Sequence, residues 1–305
     1  MNNNENSHSI VGYARQGDEL IRFGDSKRAT PSDFNTDKTV ILIHGFTAHG
    51  DYLKSLATEL VNHDYNVLVY NYYSLNGILR AAKSLAEKLV LLNELTNGNL
   101  ETNKVSLICH SMGGLVGKSL CLLTTGKGFV SSLVTIGTPH KGTLTDAKLM
   151  KHLISAGEYL SGKTVSYRPE CLSAKELMRE DDYNKIGLLN SLESEIEELE
   201  DIPILSISGG RNYLEVGNNT LLNYMANRYI QSQLSEKNDG LVQEDSSSPF
   251  SKLNSVCHPI SEHLNDYSDY YDVNHSHLVN SQVVGLNIAV WLKDASNFGH
   301  GNISS

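Results

Sequence analysis

The stretch Val105-Ser-Leu-Ile-Cys-His-Ser-Met-Gly-Gly114 decides the fold. An apolar strand ends in Cys-His-Ser-Met-Gly and passes at once into a helix, an arrangement close to the G-x-S-x-G elbow. Its logic is mechanical. A tight strand-to-helix turn forces unfavourable backbone angles on Ser111 and pushes its Oγ out of the sheet. The residues two before and two after must therefore be small. Gly113 meets that need, and Cys109 stands where Gly is usual. The helix that starts at Ser111 brings free N–H groups and a partial positive charge beside the hydroxyl, which makes the Met112 N–H a natural donor to an oxyanion. Taken alone, the pentapeptide is also compatible with a serine that only packs at a Gly-rich helix start.

Outward from this point, short apolar runs at 39–43, 65–70, 105–109, 133–136, 204–207 and 256–260 alternate with helical patterns. The runs lack strict polar alternation, as expected of parallel strands covered on both faces. Helices are expected at 52–62, 79–95, 112–123 and 282–292, each with one apolar stripe. The pattern predicts an α/β fold with a mostly parallel sheet and helices on both faces. Residues 10–295 form one domain on this reading, between a polar N-terminus (1–9) and a tail (296–305), both expected to be disordered.

The stretch 143–201 has no strand-like run. One helical stripe there carries Ala147, Met150, Leu153, Ile154, Gly157 and Leu160. Another carries Leu188, Leu189, Leu192, Ile196 and Leu199 opposite Glu193, Glu195, Glu197 and Glu198. Lying between two core strands, it is expected to be a helical cap over one end of the sheet; ordinary sheet-covering helices are the alternative.

The chain has 305 residues and a formal net charge of -10. That length suffices for one large core, and the acidic balance excludes a nucleic-acid partner, which demands clustered Lys and Arg. Cys109, Cys121, Cys171 and Cys257 form no CxxC pair, so neither a zinc site nor a disulfide framework is expected. No run is long enough to span a bilayer. The first residues lack a basic segment followed by an apolar one, so a cytoplasmic protein is expected.

Three further segments bear on chemistry. Thr39-Val-Ile-Leu-Ile-His-Gly-Phe-Thr47 ends a buried strand at His44-Gly45, and the Phe46 N–H is a candidate second oxyanion donor, with His44 holding the loop. Asp239, in Lys237-Asn-Asp-Gly-Leu-Val-Gln243, is a candidate partner for a general base. Val273-Asn-His-Ser-His-Leu-Val-Asn280 supplies two candidate bases, His275 and His277. The order Ser, Asp, His is the one expected of this fold.

With Ile136-Gly-Thr-Pro-His-Lys-Gly142 added, these blocks resemble the α/β-hydrolase superfamily, in particular bacterial triacylglycerol lipases and their esterase relatives. The wider group that includes GPI inositol-deacylase-like hydrolases shares them. The resemblance implies the α/β-hydrolase fold and a serine hydrolase of carboxylic esters. Its triad is Ser111, Asp239 and His275, since an apolar pair such as Leu278-Val279 follows the family's base closely; His277 is the alternative. It implies Phe46 and Met112 as oxyanion donors, His44, Gly45, His110 and Gly113 as pocket or support, and a structural rather than catalytic His140. No cofactor is implied and no metal expected, because many secreted relatives place a calcium-binding Asp where this chain has His277. A small-molecule or lipid ester is the expected partner, with at most transient contact with a lipid interface. Thioesterase or phospholipase-type acyl hydrolysis, or an inactive binding protein on the same fold, are the competing readings.

Overall fold

The computed structural model describes residues 17–143, 172–177, 188–194, 196–199, 201–214, 224, 227, 228, 230–232, 234, 237–247 and 273–298. Among the described residues, six strands, β1 (Glu19–Arg22), β2 (Thr39–Ile43), β3 (Asn66–Asn71), β4 (Val105–His110), β5 (Val130–Ile136) and β6 (Ile204–Ile207), form one sheet in the order β1-β3-β2-β4-β5-β6. β1 runs antiparallel to β3, and the remaining neighbours are parallel.

The period of two along each strand sorts side chains into two cores. Ile41, Ile43, Leu68, Tyr70, Leu107, Cys109 and Leu133 face the layer made by α2 (Ile78–Leu95) and α3 (Met112–Leu122). Val40, Leu42, Val67, Val69, Ile108, Val134 and Ile136 face α1 (Lys54–Asn62) and α4 (Gln282–Phe298). Both faces are thus buried, which is why these strands read as continuous apolar runs.

The chain goes from β2 outward to β3, then returns to lay β4 on the other side of β2. The strand order therefore reverses between β2 and β4, where open α/β sheets hold their ligands beyond the carboxyl ends of the strands. His44-Gly45 leaves β2 and Ser111 leaves β4 at this crevice. The elbow's departure from pattern is absorbed locally. Cys109 is fully buried toward α3, and a Cβ on Gly117 would come within 2.7 Å of its sulfur. Gly117 leaves the room that the missing glycine at 109 would otherwise supply.

Several elements differ from expectation. β1 was not expected: Glu-Leu-Ile-Arg is short, buries Leu20 alone and has charged ends paired to Arg28 and Asp25, which suits an edge strand. The helix expected from residue 52 opens as a tighter turn, Gly50–Leu53, before α1 begins. The last helix continues to Phe298, into residues 296–298 that the sequence reading gave to the tail. The expected strand at 256–260, the stripe at 147–160, the N-terminus 1–9 and most of the expected cap 143–201 lie outside the described residues. Where that stretch is described, Leu177, Leu189, Leu192 and Leu199 join the core on the α2–α3 side. Ser173 and Glu176 cap the start of α2 by accepting from the Gly77 and Ile78 N–H groups at 2.8 and 2.6 Å.

Gly117→Ala is expected to lower stability by about 1–3 kcal/mol through overpacking, less up to ~1 kcal/mol returned by alanine's better helix propensity. Adding Cys109→Ala should recover most of the loss. Urea midpoints of the two single variants and the double variant test this, and strict additivity would show that the sulfur and the glycine do not share one space.

Candidate active site

Ser111 has φ 54° and ψ −128°, a backbone state that a non-glycine residue adopts only when its surroundings enforce it. The enforcement is visible. Its N–H continues the β4–β5 ladder by donating to the Ile136 carbonyl at 2.8 Å, while its own carbonyl accepts from Gly114 N–H at 2.9 Å as α3 begins. A Cβ at Gly113 would strike the Ile43 and His44 carbonyls, so only glycine lets the first turn of α3 press against the end of β2. The seryl hydroxyl is left half-buried at the crevice.

Three side chains from distant parts of the chain meet there. His275 Nε2 lies 3.0 Å from Ser111 Oγ, and His275 Nδ1 lies 2.8 Å from Asp239 Oδ2. An ionised carboxylate only accepts, so Nδ1 carries the proton and Nε2 is left to accept from the serine hydroxyl. Asp239 is 1% exposed, and its other oxygen accepts from the Leu241 and Val242 N–H groups at 3.0 and 2.7 Å. Such charge-assisted bonds are what make a buried carboxylate tolerable. The Asp239 carbonyl also accepts from His275 N–H at 2.8 Å, so acid and base loops are tied through backbone as well as side chain. Gly137, at φ 55°, backs the pair: a Cβ there would sit 3.0 Å from His275 Nδ1 and 3.1 Å from Asp239 Oδ2. Of the two histidines offered by the sequence, the structure brings His275 to Ser111. His277 is exposed, and its N–H binds Asn274.

The supporting residues fall around this line. His110 is buried and donates Nε2–H to the His275 carbonyl at 3.1 Å, its ring 4.8 Å from that of His275. Tyr52 donates to the next carbonyl, that of Ser276, at 2.8 Å. On the other side, Gly45 presses on Ser111, since a Cβ on it would lie 2.8 Å from the serine Cβ. His44 is buried, stacks on Tyr72 at 4.4 Å, and has Nδ1 3.0 Å from the Gly45 carbonyl. Phe46 follows Gly45 and Met112 follows Ser111 at the start of α3, and among the described residues no acceptor engages either N–H. His140 is buried, with Nε2 3.3 Å from the Thr135 hydroxyl. Tyr52, Tyr72 and Gly137 are the contributors that sequence reasoning missed. Gly137 lay inside a quoted motif, whereas the tyrosines carried no local signal.

Burial holds the His44 ring down to about 4 and, with the neighbouring His275, holds His110 down to about 3; burial also pushes His140 well below its ordinary value of 6.5. All three rings are therefore neutral near pH 7. No group of three His, Cys, Asp or Glu suited to a metal ion occurs among the described residues, and no described helix is long and apolar enough to cross a membrane.

Comparison with known proteins places the fold. The model of the PGAP1-like alpha/beta domain matches residues 35–221, more than half of the chain, a span that includes the β2 loop and the elbow but ends before Asp239 and His275. No curated protein matches the chain. Among solved structures, the mature form of the lipase BlEst2 from Bacillus licheniformis superposes with a TM-score of 0.59 at 16% identity, over 90% of this chain and 97% of that one. Phospholipase PlaB from Legionella pneumophila gives 0.51 at 15% identity, over 70% of this chain and 45% of that one. These likenesses show the α/β-hydrolase fold.

The buried rings make acid stability a direct readout. On unfolding below pH 6.5 each takes up a proton that its native form excludes, so the unfolded chain binds more protons and stability falls as pH drops from 6.5 toward about 4. Each ring steepens that fall by up to about 1.4 kcal/mol per pH unit. Urea unfolding at pH 7, 5.5 and 4.5 should give a shallower pH slope for His110→Gln than for the wild type, and an unchanged slope would place His110 outside the acid response.

Proposed function

Because the chain belongs to the PGAP1-like alpha/beta domain family, we propose that it is a serine hydrolase of carboxylic esters, acting through Ser111, His275 and Asp239. One observation carries the reading: an unbroken hydrogen-bond line from a strained elbow hydroxyl to an imidazole, and from that imidazole to a buried carboxylate. In the proposed reaction His275 Nε2 takes the hydroxyl proton as Ser111 Oγ attacks the ester carbonyl carbon. Asp239 holds the tautomer and stabilises the imidazolium. The N–H groups of Phe46 and Met112 stabilise the oxyanion. Collapse of the tetrahedral intermediate expels the alcohol, which takes its proton from His275, and leaves an acyl-enzyme. Water, deprotonated by the same ring, then releases the acid and restores the serine.

The neutral state of His110 supports this division of roles. A cationic ring 4.8 Å from His275 would oppose the imidazolium that the reaction requires. With His110 uncharged, its contribution to the site is its hydrogen bond to the base loop.

Ser111→Ala is expected to abolish turnover of p-nitrophenyl esters and covalent labelling by a fluorophosphonate while leaving thermal unfolding nearly unchanged; persistent turnover would overturn the reading. His275→Ala should lower kcat/KM by about 10³-fold or more, whereas His277→Ala should stay within a fewfold of wild type. The opposite ranking would move the base to His277.

A further inference from the structure

We propose that His44 is a positioning residue for the oxyanion loop: by donating Nδ1–H to the Gly45 carbonyl, it fixes the direction of the Phe46 N–H. The proposal rests on reading Phe46 as an oxyanion donor and adds the device that aims it.

The Gly45 carbonyl and the Phe46 N–H belong to a single peptide group. A trans peptide is planar, and its C=O and N–H point in opposite directions, so fixing one end fixes the other; the described chain contains no cis bond. Two donors hold the carbonyl end, His44 Nδ1 at 3.0 Å and Ala48 N–H at 3.3 Å. The following peptide is held as well. Thr47 sits at φ 54°, costly for a β-branched residue, with its N–H on Ser74 Oγ at 3.0 Å. In the first of these two pinned planes, the Phe46 N–H is the group with no acceptor among the described residues. The loop lies directly on the nucleophile, because the side-chain space of Gly45 is taken up by Ser111.

The tautomer follows from both nitrogens independently. The Gly45 carbonyl only accepts, so Nδ1 must carry the hydrogen. On the far side, the Tyr72 backbone N–H donates to Nε2 at 3.4 Å, so Nε2 must be bare. Tyr72 further holds the ring by stacking and holds the His44 carbonyl through its hydroxyl at 2.8 Å. A residue chosen only to fill this space would not need a donor at one end and an acceptor at the other.

The test exploits the lengths of the two amides. Asn places its amide near the Nδ1 position and keeps the bond to Gly45. Gln is closer to His in volume but places its amide near Nε2 and loses that bond. Against p-nitrophenyl butyrate, His44→Gln should lower kcat by about 10- to 100-fold, short of the ~10²–10³ for deleting a donor outright, with KM within twofold. Inhibition by a phenyl boronic acid, which forms a tetrahedral adduct on serine, should weaken by a similar factor. His44→Asn should keep most of kcat. Gln performing as well as Asn, or losses confined to KM, would overturn the proposal. Should both variants misfold, ¹⁵N-histidine NMR of the wild type at pH 7 decides it: a protonated Nδ1 at His44 is expected, and a protonated Nε2 refutes it. Ser111→Ala run alongside separates the cases, since a fully active Ser111→Ala protein would reject the hydrolase reading itself, whereas an inactive one beside an unimpaired His44→Gln rejects only the role of His44.

Discussion

The site depends on the backbone of Ser111 being held where a serine does not rest by choice. A non-glycine residue at φ 54° and ψ −128° costs about 1–3 kcal/mol. Two features offset that cost from opposite sides. The parallel ladder carries the Ser111 N–H to β5, and α3 starts so close to β2 that nothing larger than hydrogen fits at Gly113. Neither can relax alone, because β4 is an inner strand with neighbours on both edges and α3 is buried along most of its length. The geometry is thus paid for by the whole sheet rather than by the turn.

Around that fixed hydroxyl the electrostatics are sparing. Asp239 is a buried carboxylate on the reaction line, with its oxygens taken up by two backbone N–H groups and one imidazole. His44, His110 and His140 are also buried, and burial keeps each neutral. A neutral imidazole offers one donor and one acceptor in a rigid plane. His44 and His110 each spend the donor on a backbone carbonyl of a loop that flanks Ser111. The histidines therefore act as fixed cross-braces, and only the one that meets a carboxylate is equipped to carry charge.

Much of this was legible in the sequence, and the division between legible and illegible has a physical basis. The five strands β2 to β6 announced themselves because burial on both faces leaves an unbroken apolar run. β1 did not, because a four-residue strand with one buried side chain has almost no pattern to read, whereas β6, at the other edge, buries three of its four. The elbow was readable because its steric demand falls on adjacent positions, and even the exception at Cys109 proved mild. What the residues alone did not decide was His275 against His277, which share a loop and differ only in which one reaches the Asp239 carboxylate. Tyr52 and Tyr72 were invisible for the same reason. Their work is done across long sequence separations, on Ser276 and on His44, and nothing in their own neighbourhoods sets them apart.

These long-range ties also explain how loops from distant parts of the chain hold one geometry. The base loop is tied to the elbow by His110, to α1's entry turn by Tyr52 and to the acid loop by Asp239. The β2 loop is tied to β3 and the residues after it by Asn71, Tyr72 and Ser74. Every one of these anchors belongs to the sheet, its immediate turns or the two terminal loops. The first residues of the β5–β6 connection belong to the frame as well: Gly137 backs the His275–Asp239 pair, Thr143 donates its hydroxyl to the Leu241 carbonyl at 2.6 Å, and His140 N–H donates to the Ser246 carbonyl at 2.9 Å. Farther along, Ser173 and Glu176 bind the start of α2, and the Leu177 carbonyl accepts from Thr143 N–H. Among the described residues, the ties that hold the hydroxyl, the ring and the carboxylate at their spacing thus come from the sheet, its turns, the acid and base loops and residues 137–143.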